Sequence, residues 1–332
     1  MVYETKNFRI NKYDNLRGLA ILLVVFGHMI YIDNPYSNVI RNMVFLIHLP
    51  LLFFISGYFS KIGDKQVEKS FERILLPYFV FCFIDALINF FLFHTMPEKI
   101  FIYPAFGLWF LLSLFLMKIS LPLLDKFKYP ILMSIVLFLL FGFINIDTNL
   151  LALTRTFKYL PFFLLGYYYK TKYQSKENKI EILNSKWFLL TSSIILVIIL
   201  IFLASHMKFE IFSFATPYNS YDLNSLIELT DRLILTITGI IAVLFLNRVM
   251  PNHKGFLTKV GKNSMAVYIL HLYFYDLSRK LYINIPSKKV ILIVAILLTI
   301  ILTFILSRDV VTNVYNKFID FIGNSFKKIF LK

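Results

Sequence analysis

The sequence predicts an all-α, polytopic integral membrane protein with about ten transmembrane helices. Three observations lead there. Of 332 residues, 58% are hydrophobic and the mean hydropathy is +0.70, which excludes an ordinary soluble domain. Apolar runs of ~17–23 residues recur along the whole chain, long enough to cross a hydrocarbon core ~30 Å thick. These runs do not alternate polar and apolar positions, so helices rather than barrel strands satisfy the backbone there.

Taken in order, the first span falls at 15–32. Lys6, Arg9 and Lys12 precede it as in a signal peptide, but no small-residue cleavage site follows, and it reads as an uncleaved anchor. The next spans fall at 40–59, 72–93, 103–121, 129–145, 151–169, 187–205, 231–249, 263–282 and 289–306. With the N-terminus inside, 25 of the 35 basic residues fall in inner segments, so both termini are expected in the cytoplasm. Arg279, Lys280, Lys288 and Lys289 break the pattern on the outer side, and read as snorkelling side chains or as a surface for an acidic acceptor. The net charge of +16 is accounted for by these short loops and by contact with a lipid bilayer, not by nucleic acid.

No linker or second domain interrupts residues 1–332. They form a single transmembrane domain with cytoplasmic ends at 1–14 and 307–332. The longest outer loop, about 205–230, contains Pro217, Tyr218, Asn219 and Tyr221, and loops of this length are often functional. In the tail, Val310, Val314, Phe318 and Phe321 recur at helical spacing, as in a helix lying on the inner membrane surface. The one cysteine, Cys82, cannot form an internal disulfide. The chain lacks a phosphate-binding glycine loop, zinc-ligand spacing, CxxC and G-x-S-x-G, which counts against ATP-driven transport, a metal site and the usual hydrolases.

Candidate chemistry starts in the first span, D-N-L-R-G-L-A-I-L-L-V-V-F-G-H, residues 14–28. Arg17 and His28 stand eleven residues apart, which is roughly 16 Å along one helix face. Ionisable groups inside a span usually face a cavity. His28 reads either as a general base or acyl carrier, or as a structural histidine bonded to a neighbouring helix. Arg17 reads either as a topology signal or as a phosphate ligand. Arg73 and Lys69 at the start of the third span would extend a basic inner mouth. In the second span, His48 reads as packing or catalyst, Pro50 as a kink, and Ser56-Gly57 as a site of close helix approach lining a cavity. Ser264, Tyr268 and His271 share one face of the ninth span, with Asn263 or Ser264 as its cap. Arg155 and Lys158 either hold an anionic acceptor group or snorkel, Asp85 requires a partner, and Trp109 reads as packing.

Four stretches together resemble the membrane acyltransferase-3 family. They are D-x-L-R-G-x-A with its Arg-x10-His pair, H-L-P-L-L-F-F-I-S-G-Y, L-W-F-L-L-S-L-F and G-K-N-S-M-A-V-Y-I-L-H. The nearest likeness is to the branch of fucose 4-O-acetylase and the capsular polysaccharide O-acetyltransferases. The resemblance implies O-acetyl transfer from cytoplasmic acetyl-CoA, as co-substrate, to a hydroxyl of an extracytoplasmic carbohydrate, at the cell membrane and without a metal. His28 matches the family's essential histidine and Arg17 its paired basic residue. Of the inner Arg-x-x-Arg element found in some members, only Arg73 in Lys-Ser-Phe-Glu-Arg has a counterpart. Many relatives carry a C-terminal hydrolase-like domain. This chain is expected to act without one or with separate glycan-assembly proteins. The rival expectation is a transporter or flippase of a glycan or lipid-linked sugar.

Overall fold

A computed structural model of the chain describes residues 11–30, 35–96, 99–174, 185–213, 217–218 and 224–330. Lys6, Arg9, Lys176, Lys179, Lys332, Asn219 and Tyr221 lie outside the described residues. Among the described residues the structure is helical, with no strand. Helices α1 (Asn11–Met29) and α2 (Pro35–Tyr58) come first. α3 (Gln66–Ser70) passes through a π-helical turn, Phe71–Leu75, into α4 (Leu76–Phe93). Then follow α5 (Trp109–Leu124), α6 (Pro130–Phe141), α7 (Leu153–Tyr168), α8 (Lys186–His206), α9 (Phe209–Ser213) and α10 (Ser225–Val249). The C-terminal part holds α11 (Phe256–Lys262), α12 (Ser264–Leu270), α13 (Tyr275–Ile283), α14 (Lys288–Leu306) and α15 (Asp309–Phe330).

Five helical stretches are long and apolar enough, by length and composition, to cross a membrane: Ser37–Tyr58, Gln66–Leu92, Lys186–His206, Ser225–Val249 and Lys288–Leu306. α8 and α14 expose aliphatic rows such as Ile194, Ile195 and Ile198, and Ile293, Leu297 and Ile301, as expected of lipid-facing helices. The interior is built instead from α1, α2, α5 and α7, with Leu16, Val25, Phe53, Phe54, Leu111 and Phe163 fully buried.

Two reciprocal glycine contacts bring backbones together. A Cβ on Gly18 of α1 would lie 2.0 Å from Leu257 O, and one on Gly261 of α11 would lie 1.8 Å from Asp14 O. Between α2 and α7, the corresponding distances are 1.8 Å from Gly57 to Phe163 O and 1.9 Å from Gly166 to Phe54 O. The close approach expected at Ser56-Gly57 is therefore present. In a membrane, where water does not drive helices together, such contacts supply dispersion that a side chain would block.

The D-N-L-R-G stretch has an architectural role beyond its charge. Asn15 is buried, and its amide donates to Pro251 O (3.0 Å) and His253 O (2.9 Å). Its oxygen accepts from the Thr258 hydroxyl at 2.6 Å. At the other end of α1, the Tyr282 hydroxyl donates to Met29 O at 3.0 Å. The helix is thus pinned to the C-terminal segments at both ends.

The single helix expected at 263–282 is corrected. The chain is helical from Phe256, breaks at Asn263 (φ −100°, ψ 17°), and tightens to a 3₁₀ turn at His271–Phe274 before α13. No proline causes this. Asn263, expected as a cap, makes no capping bond; its amide donates to Ser307 O (2.7 Å) and to Asp309 Oδ1 (3.2 Å). Its pull toward the end of α14 offsets the break. Asp85 does have a partner, the Asn89 amide one turn on at 3.1 Å. α15 runs beside the start of α4, with Tyr315 stacked on Phe81 (6.0 Å between centroids), Phe326 against Phe71, and Lys327 paired with Glu72. Val310, Val314 and Phe321 stay exposed along its outer side.

The glycine contacts predict a large cost for Gly57→Val. No rotamer clears the Phe163 carbonyl, and overpacking of this kind costs about 1–3 kcal/mol or more. The variant should melt several degrees below wild type in detergent, while Gly63→Val, with nothing within 4 Å of its Cβ, should not. Equal melting temperatures would contradict the packing described.

Candidate active site

Two cavities lie one beneath the other along α1. The one toward the C-terminal end of α1, called outer after the topology expected from the charge pattern, has about 420 Å³ and is lined by Val24 and His28 of α1, Phe45 and His48 of α2, Trp109 of α5, Arg155 and Tyr159 of α7, and the 103–107 loop. The inner one, of about 290 Å³, is lined by Arg17 and Ile21 of α1, Ser56 of α2, Arg73, Lys118 and Ser264. Tyr268 borders both. Its hydroxyl donates to Gly107 O, and its ring lies 5.1 Å from that of Phe110, which borders the inner cavity. A single buried tyrosine thus stands between the two cavities as a wall residue of each.

The offset of eleven residues in α1 has the consequence its spacing suggests: Arg17 meets the inner cavity and His28 the outer. The His28 ring is enclosed by Phe106 (5.0 Å between centroids), His271 (5.1 Å) and Tyr275 (6.2 Å). Its Nδ1 is buried without a hydrogen-bond partner, which leaves Nε2 as the nitrogen toward the cavity. His271 is fully buried and borders neither cavity, contrary to the expected polar stripe. Its Nδ1 lies 3.0 Å from Val267 O. A carbonyl only accepts, so Nδ1 carries the proton and Nε2 a lone pair. That Nε2 is likewise buried and without a partner. Each such nitrogen costs about 1–3 kcal/mol, and here the two belong to neighbouring rings.

His48 borders the outer cavity, as its mid-span position suggested, and its Nδ1 lies 2.5 Å from Val44 O. By the same argument its Nε2 is an acceptor. Arg155 and Lys158 part ways. Arg155 faces the cavity with its guanidinium 5.0 Å above the Trp109 ring, whereas Lys158 turns away and donates to Phe212 O at 2.7 Å. Trp109, read from sequence as packing, is part of the cavity wall and stacks on Tyr159 (5.9 Å). Ser56, Ser264 and Tyr268 border the inner cavity.

At the inner mouth, Arg17 lies 5.1 Å from the Phe59 ring and shares the wall with Arg73. Lys69 is exposed and is not part of that wall. The third cation is Lys118, one of the 25 basic residues counted toward the inner segments from the sequence. It is half-buried and donates to Ser60 Oγ at 2.9 Å. Its signal was a lysine inside the apolar run L-F-L-M-K-I-S-L.

No curated protein and no solved structure matches this chain. A family model described as an acyltransferase domain does, over residues 10–308, which takes in α1 through α14 and every residue bordering the two cavities. With Arg17 and His28 on one helix and a divided polar interior around them, the chain belongs to the acyltransferase-3 family of membrane acyltransferases.

Proposed function

We propose that this acyltransferase moves an acetyl group from cytoplasmic acetyl-CoA to a hydroxyl of an extracytoplasmic carbohydrate at the cell membrane. One observation carries the reading. Arg17 and His28, on one face of α1, border two different cavities that share Tyr268 as their partition. The inner cavity suits the phosphate-rich end of the donor, because its wall brings Arg17, Arg73 and Lys118 together in a partly dry setting. The outer cavity suits a sugar, because Trp109, Tyr159, Tyr103 and Phe106 offer flat apolar faces beside acceptors on His28 and His48.

His28 acts as general base. With its proton on the buried Nδ1, His28 takes the proton of the acceptor hydroxyl on Nε2. The new ester C–O bond forms as the thioester C–S bond breaks, and His28 returns the proton to the departing sulfur. His271 is a positioning residue in this scheme: its ring, 5.1 Å from that of His28, holds the orientation of His28 by packing without touching substrate. Tyr268 keeps water from the outer side away from the thioester until acceptor is present.

Three outcomes follow. His28→Ala should lower acetyl transfer by at least about a thousandfold with folding and insertion retained, read as CoA release by the purified protein. A variant that transfers normally ends the proposal. Arg17→Ala should raise the KM for acetyl-CoA about tenfold or more with a smaller effect on kcat; the reverse pattern would remove Arg17 from donor binding. Tyr268→Ala should raise acceptor-independent hydrolysis severalfold relative to transfer, and an unchanged ratio would contradict the partition. Sugar movement across the membrane with no CoA release by wild type would favour a transporter.

A further inference from the structure

Among the described residues, the outer cavity is bordered by one guanidinium and by no carboxylate. Arg155 is half-buried there and its guanidinium rests on Trp109 at 5.0 Å. Among the described residues it has no ion pair and no hydrogen bond. Among the described residues that border the cavity, none is acidic. Asp147, on the loop that supplies Asn149 to the wall, accepts from the Asn149 backbone N–H at 2.9 Å and is not part of the lining. The nearby buried carboxylate of Glu228 is taken by Arg232 at 3.6 Å. Lys158, one turn on from Arg155, adds a second positive charge behind the wall.

A guanidinium held away from water without an anion is costly, and a cation–π contact repays only part of the cost. Its five N–H groups form a planar fork that fits a carboxylate or phosphate. A snorkelling arginine would extend toward the aqueous boundary. This one lies on an aromatic floor inside the same cavity as His28 and His48.

We infer that the acceptor is an anionic saccharide whose carboxylate or phosphate is bound by Arg155 over Trp109, which holds a nearby hydroxyl toward His28. The inference rests on the outer cavity being the acceptor site. The shared chemistry is an oxyanion near the hydroxyl, supplied either by an acidic sugar or by a phosphate-bearing one. Arg155 is then a specificity determinant, not a participant in proton transfer.

The test uses the full chain in lipid nanodiscs, wild type and Arg155→Gln, with acetyl-CoA and three acceptors: methyl glucoside, methyl glucuronide and methyl glucoside 6-phosphate. Wild type should prefer at least one anionic acceptor over the neutral one by about tenfold or more in kcat/KM. Arg155→Gln should erase that preference by raising the KM for the anionic acceptors to that for the neutral one. The ratio between glucuronide and phosphate identifies the source of the anion. Equal use of all three by wild type overturns the inference. So does a uniform loss in Arg155→Gln that includes hydrolysis, which would make Arg155 a stabiliser of the reacting centre.

A second arm does not depend on catalysis. Trp109 and Trp187 are the only two tryptophans, and Trp187 is exposed. In a Trp187→Phe background, the anionic saccharides should change Trp109 fluorescence saturably, and Arg155→Gln should abolish the change. Absence of CoA release with any acceptor would sink the acetyltransferase reading while this arm still decides anion binding. No anion-dependent change in wild type overturns the inference.

Discussion

The backbone-to-backbone contact of α1 with the segment that follows Met250 is the constraint on which the site depends. Gly18 and Gly261 let the two helices touch, and Asn15 ties the inner end of α1 to Pro251, His253 and Thr258. Tyr282 holds the outer end through Met29. With α1 fixed at both ends, the inner and outer cavities are set by its length. The same packing puts His271 against His28 and places Tyr268 where it borders both cavities. A side chain on either glycine would move the α11–α12 segment away from α1, and with it the partition and the histidine pair.

The electrostatics divide along the same line. Three cations border the inner cavity; the outer one has two imidazoles with accepting nitrogens and a single guanidinium on an aromatic floor. Other buried charges are already matched within the fold: Glu228 with Arg232, and Lys158 with a backbone carbonyl. Among the described residues, buried polar atoms without a hydrogen bond include His28 Nδ1 and His271 Nε2 on neighbouring rings, and others stand apart from them at Asn247, Thr312 and Tyr315. Desolvated polar groups without partners are expensive in a bilayer, and at His28 the cost falls on a ring that borders a cavity.

Much of this was legible in the sequence, because membrane thickness makes helix length readable and because ionisable residues in apolar runs stand out. Arg17, His28, His48, Ser56, Arg155, Ser264 and Tyr268 all border a cavity. Spacing alone could not separate Arg155 from Lys158, since both lie at the same end of α7 and only tertiary packing decides which one turns to Phe212. His271 keeps its helical spacing from Ser264 and Tyr268, but the imidazole of His28 packs over it and it borders neither cavity, which only tertiary packing decides. Lys69 and Lys118 exchanged roles for a similar reason. Basic residues near a span end look alike in sequence, but one is on the exposed turn before the π-helical turn and the other lies on the cavity face of α5. Trp109 reads as packing in any apolar run. Its use became visible only with Arg155 above it.

The central claim is that an acyl group entering from one side of the membrane leaves on a hydroxyl at the other. The most direct measurement reconstitutes the chain in sealed proteoliposomes with labelled acetyl-CoA outside and saccharide acceptor enclosed. Vesicles whose cytoplasmic face points outward should release CoA outside while labelled ester accumulates inside. Label that stays in the donor compartment, or ester formed only when donor and acceptor share a side, would contradict the account.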